Sequence, residues 1–79
     1  SAENKLCRMI NGEAEFGVMP RASADEIYEF IEAHSDQLTE QTKGLVKQVA
    51  DSDVYAEARV IYNGELERIR SKAREAQCT

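Results

Sequence analysis

An all-α fold, a small four-helix up-down bundle with a long C-terminal helix, is what this sequence predicts, and three observations carry the expectation. Apolar residues recur at helical spacing in four separate stretches, strand-type alternation is almost absent, and the connections between the stretches are short. The 79 residues form one domain, 1–79, without repeat, linker or low-complexity tract. A core of this size is barely adequate alone, and such folds usually carry a staple.

The first helix is centred on Leu6, Met9 and Ile10 and is expected to stop at Asn11-Gly12 or to continue toward Phe16. The second begins most sharply, in "SADEIYEFIEAH". Ser23 is a natural N-cap, Glu26 completes a capping box three residues on, and Pro20 lies just ahead. Ile27, Phe30, Ile31 and His34 then fall at i, i+3, i+4 and i+7, one apolar helix face. The pattern breaks at "HSDQLT", where Ser35, Asp36 and Thr39 offer turn and cap chemistry. Leu38, Thr42, Leu45, Val46 and Val49 mark a third helix, weakened locally by Gly44. The fourth runs from Asp53 to Gln77, with Val54, Ala58, Ile61, Tyr62, Ile69, Ala73 and Ala76 keeping its period. Asn63-Gly64 is its weak point, a strong turn signal in strand surroundings, but the apolar phase survives across it and a continuous or slightly bent helix is expected.

In an up-down bundle the start of the first helix and the end of the last lie together, so Cys7 and Cys78 are expected to form one disulfide tying both termini down. Closing nearly the whole chain would stabilise it by roughly 4 kcal/mol on the chain-entropy account. Such a bridge places the protein in a periplasm or outside a cell. The polar start "SAENK" is not a signal peptide, which is uninformative if one has been removed. No apolar run is long enough to span a bilayer.

Fifteen acidic against ten basic residues leave a net charge of −5, which argues against nucleic acid and anionic membranes as partners. Asp25, Glu29, Glu32, Asp36 and Glu40 recur at helical spacing without an intervening base, an acidic stripe that is either a solvated face or a surface for a cationic partner. Arg68, Arg70, Lys72 and Arg74 form the opposite cluster near the end of the last helix, where cations suit the helix dipole. Catalysis finds little support. The lone histidine, His34, sits at the edge of an apolar face, and no orienting residue or glycine-rich oxyanion turn accompanies it. Cys7, Cys78 and His34 lack paired metal-ligand spacing. No enzyme activity, cofactor or metal is expected.

The segment "EFGVMPRAS" has no helical period, and its Phe16, Val18 and Met19 either cap one end of the core or are displayed. Displayed, they are apolar interface anchors, with Glu29, Glu32 and Asp36 as a charged rim.

The stretch "CRMINGEAEFGVMPRASADEIYEFIEAHSDQLTEQTKGLVKQVA" resembles the small helical immunity proteins that protect bacteria against type VI secretion cell-wall amidases. It shares with them a cysteine, a short helix with a glycine, a proline-containing loop, a helix reading "IYEFIEAHSDQL" and a further helix with "LV". The resemblance implies a periplasmic, disulfide-stapled inhibitor that occludes a toxin's active-site cleft. The expected function is therefore non-catalytic binding of another protein, a cationic-surfaced toxin or enzyme. The alternatives are an acid-stress periplasmic chaperone, loosened as its carboxylates protonate, and a structural adaptor in an envelope or secretion assembly.

Overall fold

The computed structural model describes residues 1–77. Four α-helices carry the fold: α1 (Ala2–Asn11), α2 (Ala24–Ala33), α3 (Glu40–Ala50) and α4 (Asp53–Gln77). Between α1 and α2 stands a small antiparallel hairpin, β1 (Glu13–Ala14) and β2 (Gly17–Val18), with Glu13 opposite Val18 and Ala14 opposite Gly17. The expected irregular loop is thus a folded ribbon around a two-residue turn of Glu15 and Phe16.

Local chemistry explains most boundaries. α1 stops at Gly12 because that residue adopts the left-handed conformation, φ 76° and ψ 33°, and returns its N–H to the Arg8 carbonyl at 2.9 Å. The α2 capping box forms as expected: the Ser23 hydroxyl accepts from the Glu26 N–H, and the Glu26 carboxylate accepts from the Ser23 N–H at 3.2 Å. A single 3-10 turn, Ser35–Gln37, follows, and Thr39 caps α3 by accepting from the Thr42 N–H at 3.1 Å. α4 is unbroken through Asn63-Gly64.

The core is built from Leu6, Ala22, Ile27, Ile31, Leu38, Ala50 and Tyr55, with Met9, Ile10, Phe30 and Val46 packed against it. The α2 face is as expected, since Ile27 and Ile31 are buried and Phe30 and His34 half-buried. The α4 face is corrected. Tyr55 and Leu66 are its buried residues, whereas Val54, Ile61 and Ile69 are more than 60% exposed. On α3, Leu45 and Val49 likewise face outward while Ala50 is buried.

α4 reads the backbone of residues 12–22 with its polar side chains. Tyr55 Oη donates to the Ala22 carbonyl at 2.6 Å, and Tyr62 Oη donates to the Gly12 carbonyl at 2.8 Å. Asn63 brackets Arg21, its Oδ1 accepting from the Arg21 N–H at 2.7 Å and its Nδ2 donating to the Arg21 carbonyl at 3.1 Å. The Arg21 guanidinium stacks over the Tyr62 ring at 4.6 Å. The bonds to Arg21 and Ala22 satisfy an extended segment beyond the hairpin that no sheet serves. They also explain why a turn-forming asparagine sits inside a helix.

The same contacts set the direction of α4. It passes Ala22 at Tyr55, Gly12 at Tyr62 and the Val18 carbonyl at Arg70, whose Nη2 lies 3.4 Å away. Its described end therefore lies beyond the C-terminal end of α1, not beside its start as an up-down bundle requires. From Tyr62 to Gln77 the helix advances about 22 Å. This overhang gives the molecule extents of 51 × 27 × 14 Å and a radius of gyration of 14.6 Å, against about 12 Å for a compact domain of this length. The expected Cys7–Cys78 staple finds no support. Cys7 is an exposed free thiol on α1, and Cys78 lies outside the described residues.

Tyr55 links this architecture to pH. Burial pushes its phenol above the ordinary value of 10.0; Arg21 and Arg59 pull it back in part, and Glu26 adds to the rise. Tyr28 is also raised, first by its hydrogen bond to Asp51. A raised phenol favours the neutral form in the folded state, so its stabilisation is fully present below about pH 10 and lost as pH climbs through the folded value. Tyr55→Phe is expected to cost about 0.5–1.5 kcal/mol at neutral pH through the lost bond to Ala22. It should also flatten the alkaline decline in stability. Urea titrations at neutral pH and above about pH 10 check both, and an unchanged alkaline slope would remove Tyr55 from the account.

Candidate protein-binding site

The hairpin is anchored at its base and bare at its tip. The Met19 N–H donates to the Gly12 carbonyl at 2.9 Å, closing the ribbon against the end of α1, and the Ala22 N–H donates to the Met9 carbonyl at 2.9 Å. Arg70 on α4 approaches the Val18 carbonyl from the other side. A two-stranded ribbon is marginal alone, and these contacts to two helices supply its support. Phe16 in the turn is 93% exposed, and Val18, paired with Glu13 nearer the base, is 55% exposed. Of the two readings open for this segment, display therefore holds for Phe16 and Val18. Met19 is half-buried and lines a shallow groove between hairpin and α1, with Met9, Ala14 and Arg8. Glu15 stands exposed in the turn and Glu13 at the start of β1.

The acidic residues are distributed differently from the expected stripe. Asp25, Glu29 and Glu32 are exposed on α2, but Asp36 belongs to the 3-10 turn and Glu40 to α3, so the chain changes direction within the series. Glu40 pairs with Lys43 at 3.2 Å. Glu32 lines a groove between α2 and α3 together with Lys43 and Lys47, which places cations against part of the stripe. This groove and the one beside the hairpin share no lining residue. Phe16, Val18 and Met19 thus share the hairpin segment but not one surface, Phe16 in the turn and Met19 in the groove at the base, while Glu29 and Glu32 lie on α2 and Asp36 in the 3-10 turn.

Two further features went unread in the sequence. Ile69 is 63% exposed on the overhanging part of α4, one residue from the Arg70 that meets β2, and it extends the apolar surface of that end of the molecule. Its phase in the helix marked it as core. Val54, Val60 and Ile61 form a second exposed apolar surface on α4. The signal was present: α4 carries apolar residues on two faces, and a helix supported on one side can bury only one.

His34 stacks on Phe30 with ring centroids 4.3 Å apart, and its Nδ1 is buried without a hydrogen-bond partner. Among the described residues, no group of three histidine, cysteine or carboxylate side chains is placed to hold a metal ion. Among them, too, no helix is long and apolar enough to cross a membrane. Compared with known proteins, the chain matches no family model, no curated protein and no solved structure.

Proposed function

We propose that this chain is a non-catalytic protein-binding domain that engages another protein through its hairpin tip. The observation that carries the reading is Phe16, a large aromatic side chain 93% exposed on a two-residue turn, at the end of a ribbon held by α1 and α4. Exposing an aromatic ring to water is unfavourable, and the fold recovers none of that cost internally. A ring projecting from a supported ribbon is pre-organised to enter a pocket on a partner, where aromatic anchors commonly dominate binding energy. The most concrete version is an immunity-type inhibitor, in which Phe16 and Val18 plug a toxin enzyme's cleft while Met19 holds the base of the ribbon. Glu29, Glu32 and Asp36 then act at longer range, steering a cationic partner rather than rimming the contact. A periplasmic or extracellular setting belongs to this reading, because a cell-wall amidase would be met there.

The test starts from the genomic neighbourhood, where the immunity reading expects an adjacent toxin gene, and uses that gene's product. Stoichiometric protein is expected to block its cell-wall lysis, and Phe16→Ala to weaken binding by about 1–3 kcal/mol with unchanged circular dichroism and melting temperature. Met19→Ala should lower both affinity and stability, since Met19 also packs at the hairpin base. Equal inhibition by Phe16→Ala and the parent would move the interface elsewhere. Failure of the parent to inhibit would end the immunity reading.

A further inference from the structure

We propose that a second copy of this chain packs antiparallel along the outward face of α4. Val54, Val60 and Ile61 are 77%, 65% and 67% exposed there, and with Ala56 and Glu57 the last two line a shallow apolar depression. At about 100° per residue this face is turned away from Tyr55, Tyr62 and Leu66, which hold α4 to the rest of the fold. Among the described residues nothing covers it.

Gly64 lies on the same face. A Cβ built there meets nothing within 4 Å, so the single chain offers no steric reason for a residue that weakens the helix. A close-packed helix neighbour does offer one, because a missing side chain leaves a notch for a knob.

The charges on the face identify that neighbour. Asp53 and Glu57 precede the apolar residues, and Arg68 and Lys72 follow them. A two-fold axis crossing α4 between Tyr62 and Asn63 sets each Glu57 against Arg68 of the other copy, and each Asp53 against Lys72. The same axis sets Ile61 of each copy against the Gly64 notch of the other. Parallel pairing would oppose Glu57 to Glu57 and leave the notches facing each other, so charge and shape select the same antiparallel arrangement. Arg68 already meets Glu65 on its own helix, an exposed pair, and its five-donor guanidinium can serve a second carboxylate. The overlap spans residues 53–72, about 30 Å of helix. The hairpin meets α4 at Arg70, on another side, and its tip stays free.

Sedimentation equilibrium in reductant, from about 1 μM to about 500 μM, tests this. The parent is expected to show a monomer–dimer equilibrium. Ile61→Glu and Gly64→Leu should each raise the dissociation constant at least about thirtyfold while retaining helical circular dichroism, Gly64→Leu despite the better helix former it installs. Glu57→Arg alone should weaken the dimer about tenfold, and Glu57→Arg with Arg68→Glu should restore it to within about threefold. Phe16→Ala should dimerise as the parent does, which separates this surface from the hairpin tip. A parent that stays monomeric throughout, a dimer indifferent to Ile61→Glu and Gly64→Leu, or a charge reversal that its partner does not rescue would each overturn the proposal.

Discussion

Replacing Gly12 with alanine is expected to destabilise the protein by about 2–4 kcal/mol, from left-handed strain together with a clash that cannot fully relax. Gly12 is buried at φ +76°, and a Cβ there would lie 2.5 Å from Tyr62 Cε1, 2.7 Å from Tyr62 Cζ and 2.8 Å from the Met19 carbonyl oxygen. The tyrosine could swing aside, but it would give up its bond to the Gly12 carbonyl and its stacking with Arg21. The Met19 carbonyl is backbone and closes the hairpin onto α1, so it has little room to yield. The damage should therefore reach beyond α1, loosening the hairpin and the contact with α4 together. Gly44→Ala is the matched control, since its Cβ meets nothing within 4 Å and alanine is the better helix former by about 1 kcal/mol. Urea unfolding followed by circular dichroism checks the pair. If Gly12→Ala unfolds at the parent's midpoint, the left-handed junction is not what holds these elements together.

Ile27→Ala is expected to cost about 2–5 kcal/mol, the range for emptying a fully buried aliphatic position. Ile27 is 0% exposed and belongs to the hydrophobic cluster that joins α1, α2, α3 and the start of α4. A domain of this length has about 4–12 kcal/mol of total stability, so the variant should lose much of its cooperative thermal transition. Ile61→Ala, made on an equally apolar but exposed residue of α4, should change monomer stability by no more than about 0.5 kcal/mol. Calorimetry at a low protein concentration compares them without contribution from association. Equal melting temperatures for the two variants would contradict this placement of the core.

The contrast between Ile27 and Ile61 also marks where the sequence could be read. Around Ile27 every signal is local: the capping box of Ser23 and Glu26, the apolar spacing and the turn at Ser35 all act within a few residues, and α2 forms where they place it. α4 likewise spans Asp53–Gln77 as its period indicates. Its buried face could not be read, because the helix carries two apolar stripes and only the positions of α1 and residues 12–22 choose Tyr55, Tyr62 and Leu66 over Val54 and Ile61. The hairpin was hidden for a related reason. Two-residue strands carry no measurable alternation, and the Glu15-Phe16 turn lacks the glycine and asparagine chemistry that usually announces such a ribbon. α4 runs through Asn63-Gly64 as expected, and what the sequence did not show is that Asn63 spends its amide on the Arg21 backbone.

Four helices, the capping box of α2 and the approximate span of α4 were thus determined by the amino-acid sequence by itself, since helix hydrogen bonds close within four residues and report local composition. Whether Phe16 plugs the core or stands in solvent, which way α4 runs relative to α1, and which acidic residues share a surface were decided only by tertiary structure. Each depends on contacts between residues far apart in the chain, such as Tyr62 with Gly12 and Arg70 with Val18, and such pairings leave no periodic trace along the sequence.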